Sequence, residues 1–332
     1  MHDSTHTRSD SNVSTYPRAD ATLPNTFLIG APKSGTTSLY EYLRTHPNVF
    51  FSTPKEPQFW AADFPRAIES SYYRIDSISD YLALFNSATD AHTVRAEATV
   101  TYLYSNVAVA RILEFNPNAK FIVMLRHPID LVHAWHSELL YNGYEDRQSL
   151  EEAWHLQEQR AQGACVPAAC PVPAFLQYAR MGCIGEQLER LYATVSQDRV
   201  HVIWFDDFAN DTRAEYIKTL AFLNIPDDGR TNFQPCNASR EMRFSFVSRL
   251  LFSPPKTLLP ATRAARRAFQ HLPPFTRRLI DGALRPQRQR EKLSSAFINT
   301  LENAFAQDTK ILSAVTGRQF RGPSITHVGR NK

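Results

Sequence analysis

The sequence lacks any run of about 18 apolar residues, and Met1 to Asn25 is largely polar with no apolar stretch of the signal-peptide kind. Neither a spanning helix nor a secretory leader is expected, and the chain reads as soluble and cytoplasmic. Cysteine is scarce as well. Cys165, Cys170, Cys183 and Cys236 are the four present, and they lack the paired C-x-x-C spacing of zinc or redox sites. Ordinary thiols are expected, with Cys165 and Cys170 the one pair suited to a local disulfide. Net charge is small, at +4. A general nucleic-acid binder must neutralise many phosphates, so nucleic acid is not expected as a partner.

What the chain does have is apolar mass: 43% of its 332 residues are hydrophobic, 21 Phe and 13 Tyr among them, enough for a large core. One elaborated α/β domain over 25–322 is the economical reading. The Ser-, Thr-, Asp- and Asn-rich residues 1–24 are expected to be a disordered tail, with the fold starting at Thr26, and 323–332 a second tail. Between Arg243 and Lys292 twelve Lys/Arg face two acids, a local balance of +10, so from a total of +4 the rest of the chain carries −6. Prolines break the apolar stripes of this region, which predicts a basic insertion of short helices over about 245–292. Such an insertion offers a surface for an anionic glycan or a peripheral membrane contact, or is a solvated cationic face over packed leucines.

Strand-like and helix-like patterns alternate along the chain. Strands are predicted at Phe27-Leu28-Ile29, at Val49-Phe50-Phe51, in "VRAEAT" and "KFIVMLRH", and as a buried strand in "RVHVIWFDDF". Helices are predicted after the first loop, in "SDYLALFNSA" and "NVAVARILEF", and over Pro128–Tyr141, Leu150–Gln162, Phe175–Val195, Arg213–Leu223 and Lys292–Val315. Such alternation predicts a P-loop-like central parallel β-sheet flanked by helices.

The first loop, "GAPKSGTTS", poses the chemical question. A strand runs into Gly30 and Gly35 and then into a helix, the arrangement in which backbone N–H groups and a helix N-terminus hold an anion. A nucleoside-triphosphatase loop places its lysine directly after the second glycine, whereas here Thr36 stands there and Lys33 lies inside the loop. The strand "KFIVMLRH" ends in Arg126 instead of the acid that would hold Mg²⁺. The loop therefore favours a nucleotide with a short 5′ anion and no metal.

At these residues the chain resembles the sulfotransferases that use 3′-phosphoadenosine 5′-phosphosulfate (PAPS). "PKSGTTSLYEYLRTHP" looks like their 5′-phosphosulfate loop, "STPKEPQFW" is similar to the segment that follows it in glycan- and heparan-type members, and "KFIVMLRHPIDLVHAWHS" resembles their 3′-phosphate motif. "GEQLERLY", "VHVIWFDDF" and "AVTGRQF" also fit bacterial-type members, so the resemblance covers about residues 26–322.

The resemblance implies transfer of a sulfuryl group from PAPS to a hydroxyl or amine of a carbohydrate, glycolipid or small-metabolite acceptor, without metal. Its implied donor-binding residues are Lys33, Ser34, Gly35, Thr36, Thr37, Ser38, Arg126, Ser137 and Arg243. The implied catalytic residues are Lys33, which would neutralise the leaving oxygen, and Glu56, which would act as general base with Phe59 and Trp60 beside it. Lys55 is a candidate to orient the acceptor. His127, His133 and His136 are rival bases, expected instead to cap or line the 3′-phosphate side, and Arg240 is an alternative to Arg243.

Two departures stand out. Ala134 occupies the place of a serine in the 3′-phosphate motif, with Ser137 one turn further on. Ala98 and Val100 replace a lysine and a proline that some glycan members carry. Two other readings stay open: a P-loop kinase with a shifted lysine, and a binding protein that kept the nucleotide site without catalysis. Acceptor and oligomeric state are not legible.

Overall fold

The computed structural model describes residues 23–64, 75, 77–234, 292–319 and 322–324. Five strands form one sheet: β1 (Thr26–Gly30), β2 (Val49–Phe51), β3 (Val94–Ala98), β4 (Lys120–Leu125) and β5 (Val200–Trp204). All pairings are parallel, in the order β2-β3-β1-β4-β5. Helices cover both faces, which is why β1 and β3 are buried along their whole length and why β1 and β4 read as unbroken apolar runs.

Successive side chains on a strand point to opposite faces. Accordingly Phe27, Ile29, Phe121 and Val123 enter one core cluster, and Leu28, Ile122 and Met124 enter the other. Each such side chain, fully buried, stabilises the fold by about 1.5–3 kcal/mol.

The helices are α1 (Thr36–Leu43), α2 (Ile78–Ala83), α3 (Ala108–Phe115), α4 (Pro128–Asn142), α5 (Leu150–His155), α6 (Gln157–Ala161), α7 (Tyr178–Gly182), α8 (Ile184–Thr194), α9 (Phe205–Asn210), α10 (Thr212–Leu223) and α11 (Ser295–Thr316). Pro128 stands in the first turn of α4 and Gly143 closes it in the left-handed region. Ser294 caps α11 by accepting from the Phe297 amide.

Where α11 crosses α8, a Cβ on Gly185 would lie 2.4 Å from the Asp308 carbonyl oxygen. Only a residue without a side chain permits that approach. The Asp308 carboxylate then accepts from the Gly185 and Glu186 amides, 2.9 Å each, and so caps α8 from the neighbouring helix.

Several sequence expectations need correction. "RVHVIWFDDF" is not one buried strand. β5 stops at Trp204, sits at the sheet edge and is only partly buried, and Asp206 and Asp207 then fall in the first turn of α9, where acids complement the helix dipole. The helix expected over Leu150–Gln162 is two helices meeting at Leu156. That over Phe175–Val195 is a 3-10 turn (Pro173–Leu176) followed by α7 and α8, broken at Cys183.

Cys165, Cys170 and Cys183 are free thiols. The Cys165 Sγ faces Gln159 Oε1 and the Cys170 Sγ faces the Val172 carbonyl, so the one candidate local disulfide is not formed. At the ends of the described chain, Leu23 packs on the core, Pro24 O accepts from Asn116 Nδ2, and the Ser324 amide donates to Asp130 Oδ2 at 2.9 Å. No described helix is long and apolar enough to cross a membrane. The basic insertion expected over 245–292, with Arg240, Arg243 and Cys236, lies outside the described residues.

Candidate active site

The strand order fixes where a ligand fits. From β1 the chain runs to one side of the sheet through β2 and β3, then returns across β1 to β4 and β5, so the order reverses at the β1/β4 pair. In open parallel sheets ligands bind beyond the carboxyl ends of the strands at such a reversal. Lys33 follows β1 and Arg126 follows β4, and the two loops touch: Ala31 N donates to Met124 O at 2.7 Å, and Arg126 Nη1 donates to Lys33 O at 3.2 Å.

The loop after β1 is shaped for close approach. Gly35 sits at φ +91°, the left-handed region where a side chain is strained, and a Cβ there would meet the Phe205 ring at 3.1 Å and Met124 at 3.2 Å. Gly35 is also the N-cap of α1, where no side chain caps the helix and no acid stands in the first turn. The Ser38 and Leu39 amides bond back to Gly35 O. The Thr36 and Thr37 amides precede that ladder and lie at the positive end of the helix dipole. Ser34, Thr36 and Ser38 are buried, Thr37 partly so, and Ser34 Oγ donates to Pro32 O.

Lys33 itself adopts φ 59°, unusual for a residue with a Cβ. Its ammonium donates to Glu138 Oε2 at 2.8 Å, and Glu138 Oε1 accepts from Asn142 Nδ2. Glu138, on α4, is a site residue that the sequence reading missed, because nothing in the sequence links it to a lysine 105 positions away.

Arg126 stands in a different setting from the surface arginines. It is largely buried, its guanidinium lies 4.5 Å from the centre of the Phe205 ring, and its Nε has no hydrogen-bond partner among the described residues. Burial pulls its pKa down, against the opposing charges of Asp130 and Asp206, and a guanidinium stays protonated regardless. A buried cation with an unused donor, beside open helix amides, fits an anionic ligand with two charged ends.

The other proposed groups divide. Glu56, at φ 63°, ion-pairs with Lys55 and accepts the Val100 amide at 2.9 Å through Oε2. Its own amide donates to Ala98 O, so it is anchored to the end of β3, next to the loop. Ser137 Oγ donates to His133 O at 3.1 Å, which commits its proton within α4. Ala134 is fully buried in the same helix.

The three histidines serve α4. His127 Nδ1 accepts the Ile129 amide as N-cap, His136 Nε2 pairs with Arg147 O, and burial lowers the pKa of both, while His133 is buried. Beyond α9, Arg318 grips Asp207 and lies 4.7 Å from the Trp204 ring centre, holding the end of α11 to this side of the sheet.

Glu97 on β3 was also missed. It is buried, accepts from Tyr81 Oη at 2.6 Å and Thr99 Oγ1 at 2.7 Å, and burial pushes its pKa up to about 7. Its available signal was an acid within a strand predicted for the sheet interior, costly there unless paired or hydrogen-bonded.

A consequence follows for stability. Below pH 4.5, the ordinary value, the carboxyl is protonated in both folded and unfolded chains and contributes nothing. As pH rises through about 7 the unfolded chain ionises first, so the folded state loses stability, on the order of 3 kcal/mol at most. The melting temperature of Glu97→Gln minus that of the wild type is expected to increase between pH 4.5 and 7 and to level off above it. A difference that does not change with pH would contradict the raised pKa.

With an anion loop and an arginine meeting at the reversal point of a parallel sheet, the class defined is a P-loop-like nucleotide fold whose lysine lies within the loop. The sulfotransferase family model matches residues 24–229, more than half of the chain, and the chain belongs to that family. It is 26% identical over 250 residues to carbohydrate sulfotransferase 15 of Mus musculus, an alignment covering 61% of this chain and 44% of that protein. It is 28% identical over 134 residues to bifunctional heparan sulfate N-deacetylase/N-sulfotransferase 3 of Homo sapiens, covering 40% of this chain and 15% of that one. The chain thus spans less than half the length of these curated relatives. Among solved structures, a sulfotransferase from Alicyclobacillus acidocaldarius shares the fold with a TM-score of 0.66 at 22% identity, covering 90% of this chain and 97% of that one.

Proposed function

We propose that the protein is a PAPS-dependent sulfotransferase acting on a hydroxyl or amine of a carbohydrate, glycolipid or small metabolite. The carrying observation is the pairing of Arg126 with the loop: a buried guanidinium with an unused Nε donor, bonded to the carbonyl of Lys33. Such a pair suits a nucleotide with a 5′ anion on the loop amides and a second phosphate on the arginine, which a guanidinium grips with parallel hydrogen bonds. Similarity to a carbohydrate sulfotransferase and a heparan sulfate N-sulfotransferase supports a glycan acceptor within that range.

In this reading Ser34 to Ser38 hold the 5′ end, Arg126 the 3′ end, Lys33 faces the leaving oxygen and Glu56 takes the acceptor proton. Ser137 offers only lone pairs, so it adds little to phosphate binding. The nucleotide supplies the sulfuryl group, and the protein's part is positioning and charge stabilisation.

Calorimetric titration with adenosine 3′,5′-bisphosphate, beside ATP with Mg²⁺, tests the reading. Tight bisphosphate binding is expected, weakened by about 10- to 100-fold in Arg126→Ala, the scale of lost charged hydrogen bonds. Preference for ATP·Mg²⁺ with no effect of that substitution would return the site to the kinase reading.

A further inference from the structure

We propose that Glu97 is a positioning residue that fixes the loop bearing Glu56 in its working conformation, acting through Thr99 and Tyr102. The inference rests on the reading of Glu56 as the base. It starts from the loop's backbone. Glu56 and Gln58 both have positive φ, 63° and 55°, an uncommon conformation for residues with a Cβ that persists only where the surroundings hold it. Three backbone amides of the loop are held from β3 and the segment after it. The Glu56 amide donates to Ala98 O at 2.9 Å, the Gln58 amide to Thr99 Oγ1 at 3.5 Å, and the Trp60 amide to Tyr102 Oη at 3.2 Å.

Two of these three acceptors are hydroxyls, and a hydroxyl is a directed acceptor only when something fixes its proton. Glu97 does so. Thr99 donates its proton to Glu97 Oε1, and Tyr102 acts on the same carboxyl. Tyr81 of α2 donates to Oε2 and completes the set. With the Thr99 proton directed at the carboxylate, its lone pairs are left for the Gln58 amide, while Tyr102, next to the same carboxyl, accepts from the Trp60 amide.

The setting explains how an acid is held inside an inner strand. Glu97, Thr99, Tyr81, Tyr102 and Trp60 are all within 1% of complete burial, with Phe59 stacked on Tyr81 at 4.7 Å. A neutral carboxyl would have to donate its own proton, turning one hydroxyl of the set from donor to acceptor. The ionised form can accept from every hydroxyl of the set, and burial, opposed by these hydrogen bonds and reinforced by the charge of Glu56, puts the change of state at about pH 7. The groups acting on Glu97 are Tyr81 from α2, Thr99 and Tyr102 from the segment after β3, and Glu56 from the loop itself.

The test is hydrogen–deuterium exchange of peptides covering residues 53–61, in wild type, Glu97→Gln and Tyr102→Phe, with calorimetric binding of adenosine 3′,5′-bisphosphate as the control for folding and for the donor loop. Both variants are expected to speed exchange at Gln58 and Trp60 by about ten-fold while bisphosphate affinity stays within about two-fold. In the wild type the same protection, corrected for the intrinsic pH dependence of exchange, is expected to rise as pH increases through about 7, and in Glu97→Gln to lose that step.

Unchanged protection of 53–61 in the variants overturns the proposal. Should Glu97→Gln not fold, the pH step of protection in the wild type decides by itself, and its absence overturns the proposal. Turnover adds the coupling. A loss of kcat in Glu97→Gln should vanish in a Glu56→Gln background, and additive losses would mean that Glu97 does not act through Glu56. Normal turnover of Glu56→Gln alone would remove the base reading, and the exchange result would still stand on its own.

Discussion

Replacing Lys33 by alanine is expected to lower sulfuryl transfer by about 10³-fold or more, while adenosine 3′,5′-bisphosphate still binds. The size follows from the kind of charge involved. Sulfuryl transfer, like phosphoryl transfer, leaves the protein little covalent work. Negative charge grows on the leaving oxygen, and one pre-placed cation or donor there is worth about 10²–10⁵ in rate.

Lys33 is pre-placed by its backbone. At φ 59° within a loop pinned by Arg126 to its carbonyl, the side chain leaves the loop on the side of α4, where Glu138 meets it at 2.8 Å. The bisphosphate product lacks the transferring group, so its grip depends on Arg126 and the α1 amides, and Lys33→Ala should cost it little. Single-turnover transfer and calorimetry on the same preparation separate the two effects. Equal losses in binding and in rate would make Lys33 an anchor instead of a catalytic cation.

How far the sequence carried this picture depended on whether the chemistry was local. The loop, its lysine and the helix behind it are contiguous, so Gly30, Lys33, Gly35 and Thr36 could be singled out as a candidate anion loop before any fold was known. The parallel strands were legible because helices cover both faces and the central β1 and β4 are mainly apolar. β5 misled, because edge position and helix onset are set by tertiary context: the apolar run Val202 to Phe205 passes the strand end without a break, and the packing of Phe205 on Gly35 and Arg126 shows that the chain has left the sheet there.

Glu138 was out of reach for the same reason, since a lysine and a glutamate 105 residues apart meet only once α4 lies across the β1 loop. Glu97 is the intermediate case. The strand that carries it was visible, but its partner Tyr81 lies 16 residues upstream on another element. Nothing in the sequence said which hydroxyls would surround it.

Glu56→Gln is the second substitution with a large expected effect. Turnover should fall by roughly 10²–10⁴, the usual worth of a positioned general base, with bisphosphate affinity unchanged. Glutamine suits the test because it keeps the one contact that orients the group. Its amide oxygen can still accept from the Val100 amide, as Oε2 does now at 2.9 Å, and the backbone bond to Ala98 O is untouched. What it removes is the remaining oxygen, the one facing Lys55, and with it the ability to take a proton.

Lys55 faces one oxygen of Glu56, and the carboxylate is only 27% exposed, so few waters compete with an acceptor for that oxygen. The loss should therefore fall on kcat and leave the acceptor KM nearly unchanged, because the group acts on a proton that moves only in the transition state. Normal turnover in Glu56→Gln would transfer the search for a base to Glu138, the other carboxylate in contact with the machinery. It is 35% exposed, sits on α4 and already touches Lys33.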